Sequence, residues 1–209
     1  MNKNISIYLL GSGGHAKVVY DALLLSGNKV IAVIDPIKEL KNEFSILEHI
    51  KSDDVFQDSK SMEDSIIVNG IGIVLGKNRF VRRNIYNNYY NKGYKFMNSI
   101  HPTSIIASNT KLFSGLNIMA GSIIQTGTVI KSNTIINTGV IIEHDCLIGE
   151  NVHVAPGVVI CGNVKVGDDC FIGAGAKILP ESILEDGTVV KSGAIINNKK
   201  EYNRKKNDD

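Results

Sequence analysis

The chain has 209 residues, enough for one large or two small domains. Hydrophobic residues make up 43%, an ordinary globular share, and no apolar run reaches the roughly 18 residues that cross a bilayer. The net charge is +2 and the tail from Lys199 to Asp209 carries +2 by itself, so the body is neutral and offers nucleic acid no basic surface.

Met1-Asn2-Lys3-Asn4 runs straight into an apolar stretch, without the charged start, short apolar core and cleavage site of a secretory signal, and we expect a cytoplasmic protein. Cys146, Cys161 and Cys170 are an odd number without a CxxC pair. They predict neither a disulfide framework nor a zinc ribbon, and read as small apolar filler.

Ile5–Leu10 reads as a buried strand, Gly14 to Ser26 as a helix, and Lys29–Ile34 as a second strand ending at Asp35-Pro36. The polar stretch Lys51 to Glu63 reads as a surface loop, Ile66–Leu75 as a third strand, Asn78 to Lys92 as a second helix and Tyr94–Met97 as a short strand. Arg79, Arg82 and Arg83 read as a solvated face of that helix. Alternating strands and helices predict a small Rossmann-like parallel α/β sheet over residues 1–100. His101-Pro102 marks its end, because the residue before a proline is pushed to an extended conformation.

From Ile106 to Ile196 every sixth residue is Ile, Leu or Val. Neither a helix nor a flat strand needs that period, but a solenoid that turns a corner every sixth residue does. With the aliphatic as position one, position four is Gly, Asn or Asp in every repeat but one, where Glu181 stands. Those residues tolerate tight-turn conformations. Three repeats make an 18-residue triangular coil, and residues 101–198 should stack about five coils into a parallel β-helix. Residues 199–209 read as a solvated, disordered charged tail.

Polar residues that the prism does not need stand out. His144 and Asp145 occupy a corner, and His153 lies nine residues on. An imidazole near its ordinary pKa can accept a proton, and an adjacent carboxylate can orient it; spacing alone equally allows an exposed turn pair. Gly162 lies 18 residues after His144, one coil along the same edge, where a backbone N–H could hold an oxyanion or simply turn the chain. Gly11-Ser12-Gly13-Gly14-His15-Ala16, followed by Asp35, formally fits a dinucleotide fingerprint, but fewer than 100 residues cannot build both halves of that fold.

Two stretches carry a family resemblance. Leu10-Gly11-Ser12-Gly13-Gly14-His15-Ala16-Lys17-Val18-Val19, followed by Asn137-Thr138-Gly139-Val140-Ile141-Ile142-Glu143-His144-Asp145-Cys146-Leu147-Ile148-Gly149, resembles the hexapeptide-repeat sugar acetyltransferases. These are the bacillosamine-type nucleotide-amino-sugar N-acetyltransferases and the sialic acid O-acetyltransferases. The resemblance implies a left-handed β-helix, acetyl-CoA as co-substrate without a metal, and a homotrimer with active sites between subunits. It makes His144 the general base supported by Asp145, which often is Glu in relatives. Gly162 becomes the oxyanion donor and His153 a histidine near the acetyl donor, while Ala174, Gly175, Ser192 and Gly193 resemble the CoA-lining stretch. No cysteine occupies the matching site, so transfer should be direct. Gly13, Gly14, His15, Asp35, Lys77 and Asn78 would contact a UDP- or dTDP-linked 4-amino-4,6-dideoxyhexose, acetylated for surface glycan synthesis. Relatives often finish with a Gly-x-Pro-Ala segment that this chain lacks.

Three alternatives remain at this level. Sialic acid could be the acceptor. A zinc-dependent lyase would need three or four ligands, and the prism offers only two histidines. A non-catalytic nucleotide-sugar sensor would keep the pocket without the transfer.

Overall fold

A computed structural model of the protein describes residues 6–51, 65–76 and 78–198. Lys77, the tail from 199 and all of the polar stretch read as a loop except Lys51 lie outside the described residues.

The first part is a wholly parallel five-stranded sheet in the order β3-β2-β1-β4-β5. Its strands are β1 (Ser6–Leu10), β2 (Val30–Ile34), β3 (Glu48–Ile50), β4 (Ser65–Asn69) and β5 (Lys95–Phe96). Side chains alternate across each strand. Ile7, Leu9 and Val33 therefore pack with Val19 and Leu23 of helix α1 (Gly14–Leu25) on one face. Leu10, Ile34 and Ile67 pack with Tyr86 and Tyr89 of helix α2 (Val81–Asn91) on the other. The chain moves from β1 to one side of the sheet and later returns to the other, at β4. Open parallel sheets place their ligands at such a reversal, beyond the carboxyl ends of the strands.

Two local readings change. The third strand stops at Asn69, and Gly70–Leu75 turns away as irregular chain. Gly70 N–H still donates to the Leu10 carbonyl (2.9 Å), so close that a Cβ at residue 70 would stand 2.8 Å from that oxygen. The strand β3 and the 3₁₀ turn before it (Asn42–Ile46) were not foreseen, because three half-exposed residues carry no periodicity.

Seventeen two-residue strands follow, from β6 (Ser99–Ile100) to β22 (Ile195–Ile196), in three parallel sheets of six, five and six strands. Partners are 18 residues apart, as in Ile124↔Ile142 and Ile142↔Ile160. The first face runs through Ser99, Asn117, Ile135, His153, Phe171 and Val189. The second runs through Ile105, Ile123, Ile141, Val159, Lys177 and Ile195, and the third through Lys111, Val129, Leu147, Lys165 and Ile183. Stacking begins one repeat earlier than the ladder as read, since Ile100 pairs with Ile118.

From Ile118 to Val190 every inward aliphatic is at most 4% exposed. Each burial is worth about 1.5–3 kcal/mol before entropy. Every position-four residue from Gly115 to Gly193 has φ between +56° and +74°, Glu181 included at +64°. The turn geometry, and not the residue type, is what repeats.

The α/β part sits on the first face, which buries Asn117 and Ile135 completely. Arg82 joins the two parts. It is 1% exposed and donates to the carbonyls of Asn69 (2.9 Å) and Ile71 (2.7 Å) on one side and of Asn133 (3.1 Å) and Gly115 (3.2 Å) on the other. Arg79 donates to the carbonyls of Asp169 and Gly187 (2.5 and 2.8 Å), and Arg83 pairs with the Asp169 carboxylate at 2.6 Å. These three arginines are therefore not a solvated helix face. A solenoid corner exposes carbonyls to whatever packs on it, and Arg79 in the turn before α2, with Arg82 and Arg83 in its first turn, is the donor surface that meets them. Among the described residues no helix is long and apolar enough to cross a membrane.

Candidate active site

The edge between the second and third faces carries the residues with chemistry. The Ile141–Ile142 strand ends at the corner Glu143-His144-Asp145, and Asp145 takes the left-handed conformation (φ +58°). That turn sets both side chains outward, 59% and 67% exposed, with His144 Nδ1 2.9 Å from Asp145 Oδ2. An ionised carboxylate only accepts, so Nδ1 carries the proton and Nε2 is left as the basic nitrogen.

One coil along, Gly162 lies against the ring: a Cβ at this position would stand 2.6 Å from His144 Nε2. The backbone is tied by Asn163 N–H donating to the His144 carbonyl at 2.9 Å. Among the described residues the Gly162 N–H has no partner. Such corner amides are taken at some positions, as where the N–H of Glu150 donates to Asp168 one coil along and that of Asp168 to Asp186, both at 2.8 Å. One coil beyond Gly162 stands Pro180, which has no acceptor side chain. His144, Asp145, Gly162, Asn163, Pro180 and Glu181 line an open groove of about 430 Å³.

The small residues Ala174-Gly175 and Ser192-Gly193 stack on a different edge, between the first and second faces, with Gly193 N–H donating to the Ala174 carbonyl. The second face separates them from His144.

A second cavity, about 460 Å³, opens where the sheet order reverses. Gly13, Gly14, His15 and Asp35 line it, together with Ile71, Gly72, Val74, Val81 and Ile85. The Asp35 carboxylate accepts from Ser12 N–H and Oγ (both 2.8 Å) and from Ile37 N–H (3.0 Å). It thus ties the glycine loop to the end of β2. Asn78 is exposed in the turn before α2 and is not in the wall of this cavity.

His153 is far from His144. It lies on the first face, 9% exposed, edge-on to Phe171 (4.9 Å), with Nε2 3.4 Å from Asn137 Nδ2. Burial, and next the Arg82 charge, lower its pKa to about 4, against the pull of an Ile73 backbone contact. His15 Nε2 meets Asn117 Oδ1 at 3.2 Å, and burial followed by Arg82 lowers its pKa to about 3. Asn117 was missed. Its signal was present, for it is an amide in an outward strand position that most repeats give to aliphatics or lysine.

Comparison with known proteins follows the same division. The PglD N-terminal domain model matches residues 6–89, and the bacterial transferase hexapeptide model matches residues 127–162 and 163–198. The acetyltransferase domain of PglB from Neisseria gonorrhoeae superposes with a TM-score of 0.83 at 27% identity, over 94% of this chain and 93% of that one. The chain belongs to the hexapeptide-repeat sugar acetyltransferases. A variant of perosamine N-acetyltransferase from Caulobacter crescentus, solved with CoA and GDP-perosamine, superposes with a TM-score of 0.81 at 27% identity, over 93% and 89%. A tetrahydropyridine dicarboxylate N-succinyltransferase from Actinobacillus succinogenes is 40% identical over 57 residues, and the match spans only 21% of that protein. The left-handed coil comes with this acetyltransferase family, as does CoA in the solved neighbours.

Proposed function

We propose that the protein transfers acetyl from acetyl-CoA to the 4-amino group of a nucleotide-linked 4-amino-4,6-dideoxyhexose, in the cytoplasm, for surface glycan synthesis. The observation that carries the reading is the His144 ring, oriented by Asp145 and lying against Gly162. Base and candidate oxyanion donor then flank one point in one groove. The acceptor amine attacks the thioester carbonyl and His144 Nε2 takes its proton. The tetrahedral oxygen is held by the Gly162 N–H. Collapse breaks the C–S bond, and the sulfur leaves as CoA thiol with the proton returned by His144. No side chain is acylated. Ala174, Gly175, Ser192 and Gly193 line the CoA path, with His153 toward the acetyl end.

The acceptor's nucleotide lies in the cavity at Gly13, Gly14, His15 and Asp35, and Lys77 and Asn78 are further candidate contacts to it. That cavity adjoins the first face, whereas His144 projects from the edge opposite. One chain therefore leaves its base and its nucleotide pocket apart, and a homotrimer supplies the base from a neighbour. The second face has the apolar surface such packing needs: Ile105 is 64% and Ile195 66% exposed. GDP joins UDP and dTDP as a candidate carrier, since the similar Caulobacter enzyme was solved with GDP-perosamine.

The test is an acceptor panel scored by CoA release, beside sedimentation of the pure protein. Turnover of a nucleotide-linked amino-sugar by a trimer is expected. Activity on free sialic acid alone would replace this reading with O-acetylation, and binding of nucleotide-sugar without consumption of acetyl-CoA would make the protein a sensor.

A further inference from the structure

Arg82 does more than join two domains. Of its carbonyl partners, Asn69 and Ile71 belong to the segment that continues as Gly70–Gly72 along the nucleotide cavity. The same segment is tied a second time, by Asn69 Nδ2 donating to Asn133 Oδ1 (3.0 Å) and Ile71 N–H donating to Asn69 Oδ1 (3.1 Å). Asn133 in turn donates to Asn151 one coil along (2.9 Å). The segment presses on His15: a Cβ at Gly72 would stand 3.1 Å from His15 Cβ. On its other side the His15 ring is fixed by Asn117, whose amide nitrogen donates to the Leu116 carbonyl (3.3 Å) and so presents its oxygen to Nε2 (3.2 Å).

We infer that Arg82 is a positioning residue for the nucleotide cavity. Bonded to two corners of the prism, it holds residues 69–72 against His15, so that the imidazole stands as a neutral ring with Nε2–H on Asn117 and Nδ1 as a hydrogen-bond acceptor for the ligand. The inference rests on the cavity being the acceptor site, and it assigns His15 a partner: a hydroxyl or N–H donor of the nucleotide-sugar, not its diphosphate. An anion prefers a cation, and this histidine is kept from becoming one. Among the described residues the groups acting on its charge are Arg82 from α2, His153 and Asn117 from the prism. Arg82 remains charged at neutral pH although burial lowers its pKa to about 9, and none of its hydrogen bonds goes to a carboxylate.

Histidine-labelled protein without ligand, followed by NMR from pH 7 to pH 5, tests this directly, with the His15 signals assigned by His15→Gln. In the unaltered chain His15 stays neutral and Nε2-protonated throughout. In Arg82→Met it titrates within the window or exchanges tautomers, and Arg82→Lys lies between. Should Arg82→Met not fold, Asn117→Leu releases the ring while leaving Arg82 in place and gives the same loss of the fixed tautomer. Unchanged His15 spectra in whichever of these variants folds would overturn the inference. In calorimetry Arg82→Lys weakens nucleotide-sugar binding tenfold or more, with the KM for acetyl-CoA unchanged within twofold; equal losses for both ligands would make the role merely structural. If the unaltered chain binds no nucleotide-sugar, the proposed function fails while the NMR result still decides the role of Arg82.

Discussion

The imidazole of His144 occupies the space that a side chain at residue 162 would need. A Cβ on Gly162 would stand 2.6 Å from Nε2 and 2.7 Å from Cε1, below any real contact. This is a close approach and not a turn requirement, since Gly162 is not among the residues with positive φ. Gly162→Ala should therefore displace the ring without unfolding the coil. The backbone N–H is kept, so the loss comes from the misplaced base: we expect kcat to fall about a hundredfold, the lower end of the usual worth of a positioned base, with melting temperature little changed. Activity retained in this variant would show that the His144 ring need not lie where it does against residue 162.

His144→Ala should lower kcat by about 10²–10⁴-fold, the usual worth of a positioned base. Asp145→Asn should cost less, because the exposed pair aligns the ring without a buried charge. Steady-state assays with saturating acetyl-CoA separate the two, and full turnover by His144→Ala would show that another group takes the proton.

The prism's core can be tested at Ile148, which is fully buried. Ile148→Ala should cost about 2–5 kcal/mol in denaturant unfolding. Ile148→Asp should give insoluble or protease-sensitive protein, because it buries a charge without a partner. A soluble Ile148→Asp chain that melts cooperatively would contradict the closed core.

Stability should fall with acid. His15 and His153 have pKa values lowered to about 3 and about 4, so below the unfolded value of about 6.5 the unfolded chain binds protons that the folded chain refuses. Stability present above that value is lost as pH falls through the window from about 6.5 toward 4 and 3. Between pH 6.5 and pH 5 the loss is of order 2 kcal/mol per histidine. Urea midpoints for the unaltered chain and His153→Gln measure it, and the variant should show a shallower slope.

The six-residue ladder was legible because each inward aliphatic has its own burial to satisfy, so the repeat survives wherever the coil does. His144 and Gly162 were legible by counting 18 along one edge. The arginines were not. Helical spacing shows Arg79, Arg82 and Arg83 as polar, but whether a polar face meets water or a row of carbonyls depends on which corner it packs against. That docking is tertiary, and no local pattern in α2 encodes it. Gly70–Leu75 failed for a related reason: its apolar residues satisfy a cavity wall and a neighbouring domain, which mimic the demands of a strand. Asp35 was read as a contact to the substrate's nucleotide; it lines the cavity at the sheet reversal, and its commitment to Ser12 and Ile37 appears only once the turn is built.

The proline after Gly162 has a consequence for how such a protein acquires chemistry. Where an aspartate follows one coil on, as at Asp168 and Asp186, the corner amide is consumed in holding the stack together. Where Pro180 follows, no acceptor side chain stands over the amide, and it is left over as those of Ala120, Ser132 and Ala174 are among the described residues. A repetitive scaffold can thus gain a reactive position by leaving out a bond. What sets the Gly162 corner apart is the His144 ring that lies beside its amide.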